Sequence, residues 1–226
     1  VGCPSGGRTV KRVAAISAAI VVALAVLWSV VYFTPLMSVK HFQVEGNAHI
    51  SEEDAVRASG IRSGTPLAQV KLRDAAAGVV ALPWVKSATA SRGWPSTIKL
   101  TVIENDAVAF FSQEDGAHLL DADGREFAVD VPPENAVELT GAAGTDEAVR
   151  KGAVDIAGAL SDQGRENVEA IEARGKHDYV LHVKEGRTVT WGASEDNRNK
   201  SLALDTVLLR EGAEFNITNP QLVTVR

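Results

Sequence analysis

The chain has 226 residues and a formal net charge of −6, from 23 Lys and Arg against 29 Asp and Glu. Arg8, Lys11 and Arg12 account for three of those cations, so the remainder carries −9, from 20 against 29. That is the wrong sign for a folded nucleic-acid binder, and it gives no support to a surface that clings to anionic lipid.

The only cysteine is Cys3, so nothing after it has a disulfide framework or thiol chemistry. A basic tail, residues 1–12, opens the chain, and the 27 residues between Arg12 and Lys40 carry no charge. Val13 to Phe33 alone gives about 31 Å of helix at about 1.5 Å per residue, which matches a hydrocarbon core of about 30 Å. We expect one transmembrane helix over 13–36. The positive-inside rule puts the tail in the cytoplasm and the rest outside. The rival reading is a cleaved secretory signal, with an apolar segment of about 7–15 residues and a small-residue cleavage site. This run is longer and exits through Trp28, Tyr32, Phe33 and Pro35. Those aromatics suit a membrane–water interface. Ala15, Ala19 and Ala23 repeat every four residues, which we read as Ala-rich composition rather than a helix contact.

Beyond a short linker at Thr34 to Ser38, Lys40 to Glu45 alternates with Phe42 and Val44 on one face, a half-buried strand closed by Gly46-Asn47. Ser51 with Asp54 resembles a capping box and starts a helix that runs to about Ser59 and stops at Gly60. Gly64-Thr65-Pro66 opens a second helix, with a stripe of Leu67, Val70, Leu72, Ala76, Val79 and Leu82, ended by Pro83. Strands over Val85 to Arg92 and Thr97 to Ile103 are joined through Gly93-Trp94-Pro95-Ser96. We read Trp94 as packing at that turn. Strand–helix–helix–strand–strand over about 65 residues makes one α+β module.

From Ala107 short strands and turns take over. Val108 to Ser112 and His118 to Leu120 flank Glu114-Asp115-Gly116, a hairpin signal. Asp121 to Gly124 turns into Glu126 to Val129, and Pro132-Pro133 opens a loop. Thr145, backed by Asp146 and Glu147, is expected to cap a helix with Val149, Ala153, Ile156 and Leu160 on one face. Strands follow at Val168 to Ala173, Tyr179 to Val183 and Thr188 to Trp191. A helix comes near Lys200 to Arg210, and a last strand at Leu222 to Val225.

Chemistry is sparse. None of the five histidines has metal-ligand spacing. Asp121-x-Asp123-Gly124 lacks the further acids of a calcium loop and reads as a tight turn. No nucleophile motif or phosphate loop appears. Glu104, Asp106, Glu114 and Asp115 read as a solvated charge cluster, without the cleft that a glycan-cleaving carboxylate pair needs. Asn216-Ile217-Thr218 matches a glycosylation acceptor, a pattern common by chance. We expect no catalytic residue, no metal and no cofactor.

Val39 to Asn47 with Ser51 resembles the opening of a POTRA domain. Leu82-Pro-Trp-Val85, followed by Ser91-Arg-Gly-Trp-Pro-Ser-Thr-Ile98-x-Leu-x-Val-x-Glu104, resembles the POTRA domain of the bacterial cell-division family FtsQ/DivIB. Leu120 to Gly124 is similar to that family's hairpin, and Gly186-Arg-Thr-Val189-x-Trp-Gly192 with Lys200 to its C-terminal β-domain; residues 130–145 match poorly. The resemblance implies a cytoplasmic tail (1–12), a membrane helix (13–36), a POTRA domain (39–106) and a mixed β-domain with flanking helices (107–226). It implies a non-enzymatic scaffold in the bacterial cytoplasmic membrane at the division septum. Its partners would be the bitopic proteins FtsB and FtsL, and its role to help control septal peptidoglycan synthesis. In the family the partner adds to the β-domain edge near the last strand. That points to Leu222, Val223, Thr224 and Val225, with Thr188, Val189 and Trp191 beside them. Trp191 reads either as an aromatic anchor for the partner or as core. The alternative function is a POTRA-bearing component of a protein-export or outer-membrane assembly machine.

Overall fold

The structure, a computed structural model, describes residues 16–26 and 37–225. Residues 16–26 form a helix (α1), all of it exposed. The rest of the expected membrane helix, 13–15 and 27–36, lies outside the described residues, as does the tail. Among the described residues no helix is long and apolar enough to cross a membrane. The chain divides into two compact units, Val1–Glu104 and Asn105–Arg226.

The first unit contains β1 (His41–Glu45), α2 (Glu52–Ala58), α3 (Leu72–Val80), β2 (Val85–Gly93) and β3 (Thr97–Glu104). Its sheet runs β1-β3-β2, with β1 parallel to β3 and β2 antiparallel. Alternation in β3 sends Ile98, Leu100 and Val102 into a core with Val39, Leu67 and Val79. The Ser51 hydroxyl caps α2 by accepting from the Asp54 N–H at 3.0 Å. The second helix is shorter than its apolar stripe suggested. Leu67–Gln69 form a single 3₁₀ turn, Val70 is extended, and α3 starts only at Leu72. Arg92 explains the break: its guanidinium donates to the carbonyls of Leu67 and Val70, both at 2.7 Å, and takes the place of the next helical turn.

Glu104 is not a solvated charge. Its side chain is 8% exposed, and its carboxylate accepts the N–H groups of Ala48, His49 and Ile50 at 3.0 to 3.1 Å. The His49 ring adds a contact at 2.9 Å and stacks on Trp84 with centroids 4.0 Å apart. Burial would raise the Glu104 pKa, yet His49 and the three backbone donors hold it below its ordinary value. Trp94, expected to pack, is 57% exposed.

The second unit holds one nine-stranded mixed sheet. Its strands are β4 (Ala109–Gln113), β5 (Gly116–Leu120), β6 (Glu126–Val129), β7 (Val137–Gly141), β8 (Val168–Gly175), β9 (Asp178–Val183), β10 (Arg187–Gly192), β11 (Glu214–Asn216) and β12 (Thr224–Val225). They lie in the order β12-β11-β10-β9-β8-β7-β4-β5-β6. The pairs β4–β7, β7–β8 and β10–β11 are parallel. Helices α4 (Glu147–Ala159), α5 (Asp162–Asn167) and α6 (Asn197–Leu208) complete the unit. Ile156, Ile171, Tyr179, Leu181, Trp191, Leu204 and Ile217 are fully buried in its core. The stretch read as loop after Pro133 contains β7, whose Val137 and Leu139 face inward. The α4 cap is Asp146, not Thr145: its carboxylate accepts from Ala148 and Val149. Asp121 accepts from the N–H groups of Asp123 and Arg125, both at 2.9 Å, which makes that segment a turn.

Candidate functional site

The expected partner site converges on one end of the nine-stranded sheet, and the structure sorts its residues into two groups. In β10, alternation turns Val189 and Trp191 inward, 1% and 0% exposed, and leaves Thr188 and Thr190 half-buried on the other face. β10 is hydrogen-bonded on both sides, to β9 and to β11. Trp191 is a core residue that also fastens the next loop. Its Nε1–H donates to Asn197 Oδ1 at 3.0 Å. Its carbonyl accepts from the buried Lys200 Nζ at 3.0 Å, and Ala193 O accepts from the same ammonium at 2.9 Å. Burial pushes the Lys200 pKa down, against the pull of Glu195 and Asp196.

β11, which sequence reasoning missed, stands between β10 and the last strand. It pairs parallel to β10, with Val189 opposite Phe215, and antiparallel to β12, with Phe215 opposite Val225 and Asn216 opposite Thr224. Its signal was the alternation of Phe215 and Ile217, both buried, but a three-residue strand offers too little of a period to read. Polar side chains shape the approach: Asn216 Oδ1 accepts from the Thr218 N–H at 2.9 Å, and Asn219 Oδ1 from the Gln221 N–H at 3.1 Å.

Among the described residues β12 is the end of the sheet, with a strand on one side only. It is shorter than the expected Leu222 to Val225, covering Thr224–Val225. Leu222 is 69% exposed and Val225 45%, while Val223 packs partly against the core. Thr224 and Val225 therefore stand in solvent on a strand that ends the sheet, and Leu222 stands in solvent just before it.

A concave site lies elsewhere in this unit. A cleft of about 790 Å³ is lined by Phe111, Ser112, Glu114, Asp115, Glu138 and Thr145, among others. Beside it His118 lies between Asp115 at 2.9 Å and Glu126 at 2.7 Å, and stacks on Phe111. The Asp115 and then the Glu126 contact raise its pKa. These three side chains satisfy one another. Strand addition needs an open edge and not a cavity, so volume does not rank the sites. At the β9 end, His182 pairs with Glu172 at 3.0 Å and does not meet His177. Among the described residues no group of three or more His, Cys, Asp or Glu side chains is placed to hold a metal ion.

Residues 37–105 match the family described as "POTRA domain, FtsQ-type". The chain is 35% identical over 219 residues to "Cell division protein FtsQ" of Corynebacterium glutamicum, covering 96% of this chain and 99% of that one. It is 34% identical over 202 residues to the protein of the same name from Mycobacteroides abscessus, covering 88% and 65%. With that of Mycolicibacterium smegmatis it shares 32% over 221 residues, covering 97% and 66%. Against these last two, the chain spans about two-thirds of the relative's length.

Proposed function

Because the chain belongs to the FtsQ/DivIB family of bacterial cell-division proteins, we propose that it serves division as a membrane-anchored scaffold that captures its partners by strand addition at β12. The apolar run over 13–36 is its anchor, and the chain beyond it stands outside the cytoplasmic membrane. The partners are the extended segments of FtsB- and FtsL-type bitopic proteins, and through them the scaffold helps to control septal peptidoglycan synthesis. The relatives are division proteins, which favours this reading over an export or assembly machine.

The observation that carries the proposal is the open edge. β12 ends the sheet, and an added strand there gains backbone hydrogen bonds, which give affinity, and pockets for alternate side chains, which give specificity. The exposed side chains of Leu222 and Val225 supply the apolar contact. Val189 and Trp191 contribute from behind, by holding β10 and β11 in place.

The test is binding of the full chain, held in nanodiscs, to the exported segments of FtsB and FtsL homologues. Thr224→Pro and Val225→Pro run beside it. Successive N–H groups of a strand point to opposite sides, so one substitution removes an outward donor and the other an inward one. We expect wild-type binding to fall below detection in the variant that loses the outward donor, with its near-ultraviolet circular dichroism unchanged. Binding untouched by either variant moves the site away from β12.

A further inference from the structure

One end of the first unit is built from three separate segments. β1 and β3 run parallel, so the start of β1, the start of β3 and the end of β2 lie side by side. The N–H groups of Lys40 and His41 both donate to the Ser96 carbonyl, at 2.8 and 3.2 Å. Val39 N–H donates to Thr65 O at 2.9 Å, and Gly64 N–H donates to Val39 O at 2.8 Å. Segments 38–41, 62–66 and 93–97 thus form one surface.

That surface has a definite chemistry. Trp94, on the β2–β3 turn, exposes 57% of its area beside an exposed Pro95. Lys40, His41 and Arg62 are exposed on these segments, and 38–41, 62–69 and 92–97 contain no carboxylate; Asp74, which lines a cleft with Arg62, sits beside Lys71 at 3.8 Å. Glu45 and Glu104 close β1 and β3 at the opposite end, where Glu104 also binds the loop that leads to Glu52, Glu53 and Asp54 of α2. The net negative charge of the chain therefore says nothing about this face, which is locally basic and carries a half-solvated indole.

The covalent chain says what it faces. The apolar run ends at Phe33, and Ser38 is already paired with Pro66. Five residues span at most about 18 Å, so a bilayer crossed by residues 13–33 holds this end of the unit close to its surface. Tryptophan is favoured at the headgroup level, where its ring is sheltered and its N–H stays wet. Basic side chains gain from anionic lipid there, and the gain falls away within a Debye length.

We propose that Trp94 inserts into the headgroup region of the bilayer that the chain itself spans, with Lys40 and Arg62 against lipid phosphates, so that the first unit docks on the membrane by its β2–β3 turn. This rests on the anchor reading above and commits to lipid, not protein, as what covers Trp94. The indole then fixes the tilt of the unit on the membrane.

The test uses the full chain reconstituted into vesicles of phosphatidylglycerol and phosphatidylcholine, with or without bromine near the glycerol end of the acyl chains. Trp28 lies in the apolar run and reports on the anchor, while Trp84 and Trp191 are buried and cancel in differences. In a Trp28→Phe background, the emission lost on Trp94→Phe is expected to be blue-shifted and quenched by the brominated lipid. Lys40→Gln with Arg62→Gln should weaken that quenching in the anionic vesicles. A Trp94 signal equal in brominated and ordinary lipid, while Trp28 in the wild type is quenched, overturns the docking and leaves the anchor standing; a protein-facing Trp94 gives this result too. Unquenched Trp28 overturns the anchor and the docking together.

Discussion

At the residue scale, Glu104 shows how one side chain closes a loop. It stands at the end of β3 and binds three successive N–H groups and the His49 ring, more than 50 residues away in sequence. Gln has the same shape but only one acceptor oxygen, and it turns an NH₂ group toward those donors. Glu104→Gln is therefore expected to cost about 1–3 kcal/mol of stability at neutral pH, read from denaturant midpoints. The pH dependence has a definite sign. The folded pKa lies below the ordinary value of 4.5, so this stabilisation is complete above that value and is lost as pH falls through the folded pKa. Wild type and variant should converge on acidification, and a gap that stays constant from neutral to strongly acid pH would remove the carboxylate from this role. His118 has the opposite sign. Its pKa is raised from 6.5 by Asp115 and Glu126, so its contribution is complete below 6.5 and fades as pH rises through the folded value. Neither role was legible in the sequence. Glu104 sits in an alternating strand followed by other acids, and its partners are remote.

At the element scale, two glycines make opposite predictions from the same substitution. Glycine in a helix interior costs about 1 kcal/mol relative to Ala. At Gly158 in α4 nothing stands within 4 Å of an added Cβ, so Gly158→Ala should stabilise by up to about that amount. At Gly78 in α3 the Cβ would run into the Ala58 carbonyl oxygen, where α2 ends. Overpacking against backbone costs about 1–3 kcal/mol, so Gly78→Ala should destabilise. Thermal unfolding of both variants checks the pair, and two shifts of the same sign would contradict the close crossing of α2 and α3. The crossing itself was not readable, because helix periodicity names the buried face and not how near the neighbour comes. Strands were legible where they were long enough to alternate, as in β3 with Ile98, Leu100 and Val102. They were lost where they were short and paired in parallel with distant segments, as in β7 and β11. The candidate edge was legible as a last strand. That Trp191 is core, and that β11 separates β10 from β12, depended on pairings the chain order does not reveal.

At the scale of the whole molecule, charge is distributed by segment. Three cations lie in the tail; residues 40–104 carry eight against six acids, and 105–226 carry 12 against 23. The flanks of the apolar run decide its orientation, since basic residues within about 15–20 residues of a span set which end stays inside. Arg8, Lys11 and Arg12 lie on one side and Lys40 alone on the other. The tail is thus expected in the cytoplasm, and the chain carries its own reporter in Cys3, its single thiol. In right-side-out membrane vesicles a membrane-impermeant maleimide should leave Cys3 unlabelled until the vesicles are permeabilised. In a Cys3→Ser, Lys176→Cys variant, whose new thiol lies in the exposed β8–β9 turn, labelling should proceed in intact vesicles. The reverse pattern would put both units in the cytoplasm. β12 would then be out of reach of an extracytoplasmic partner, and Trp94 could meet only the inner leaflet. The scaffold reading and the side on which it works therefore stand or fall on separate measurements, binding at β12 for the first and the two labelling patterns for the second.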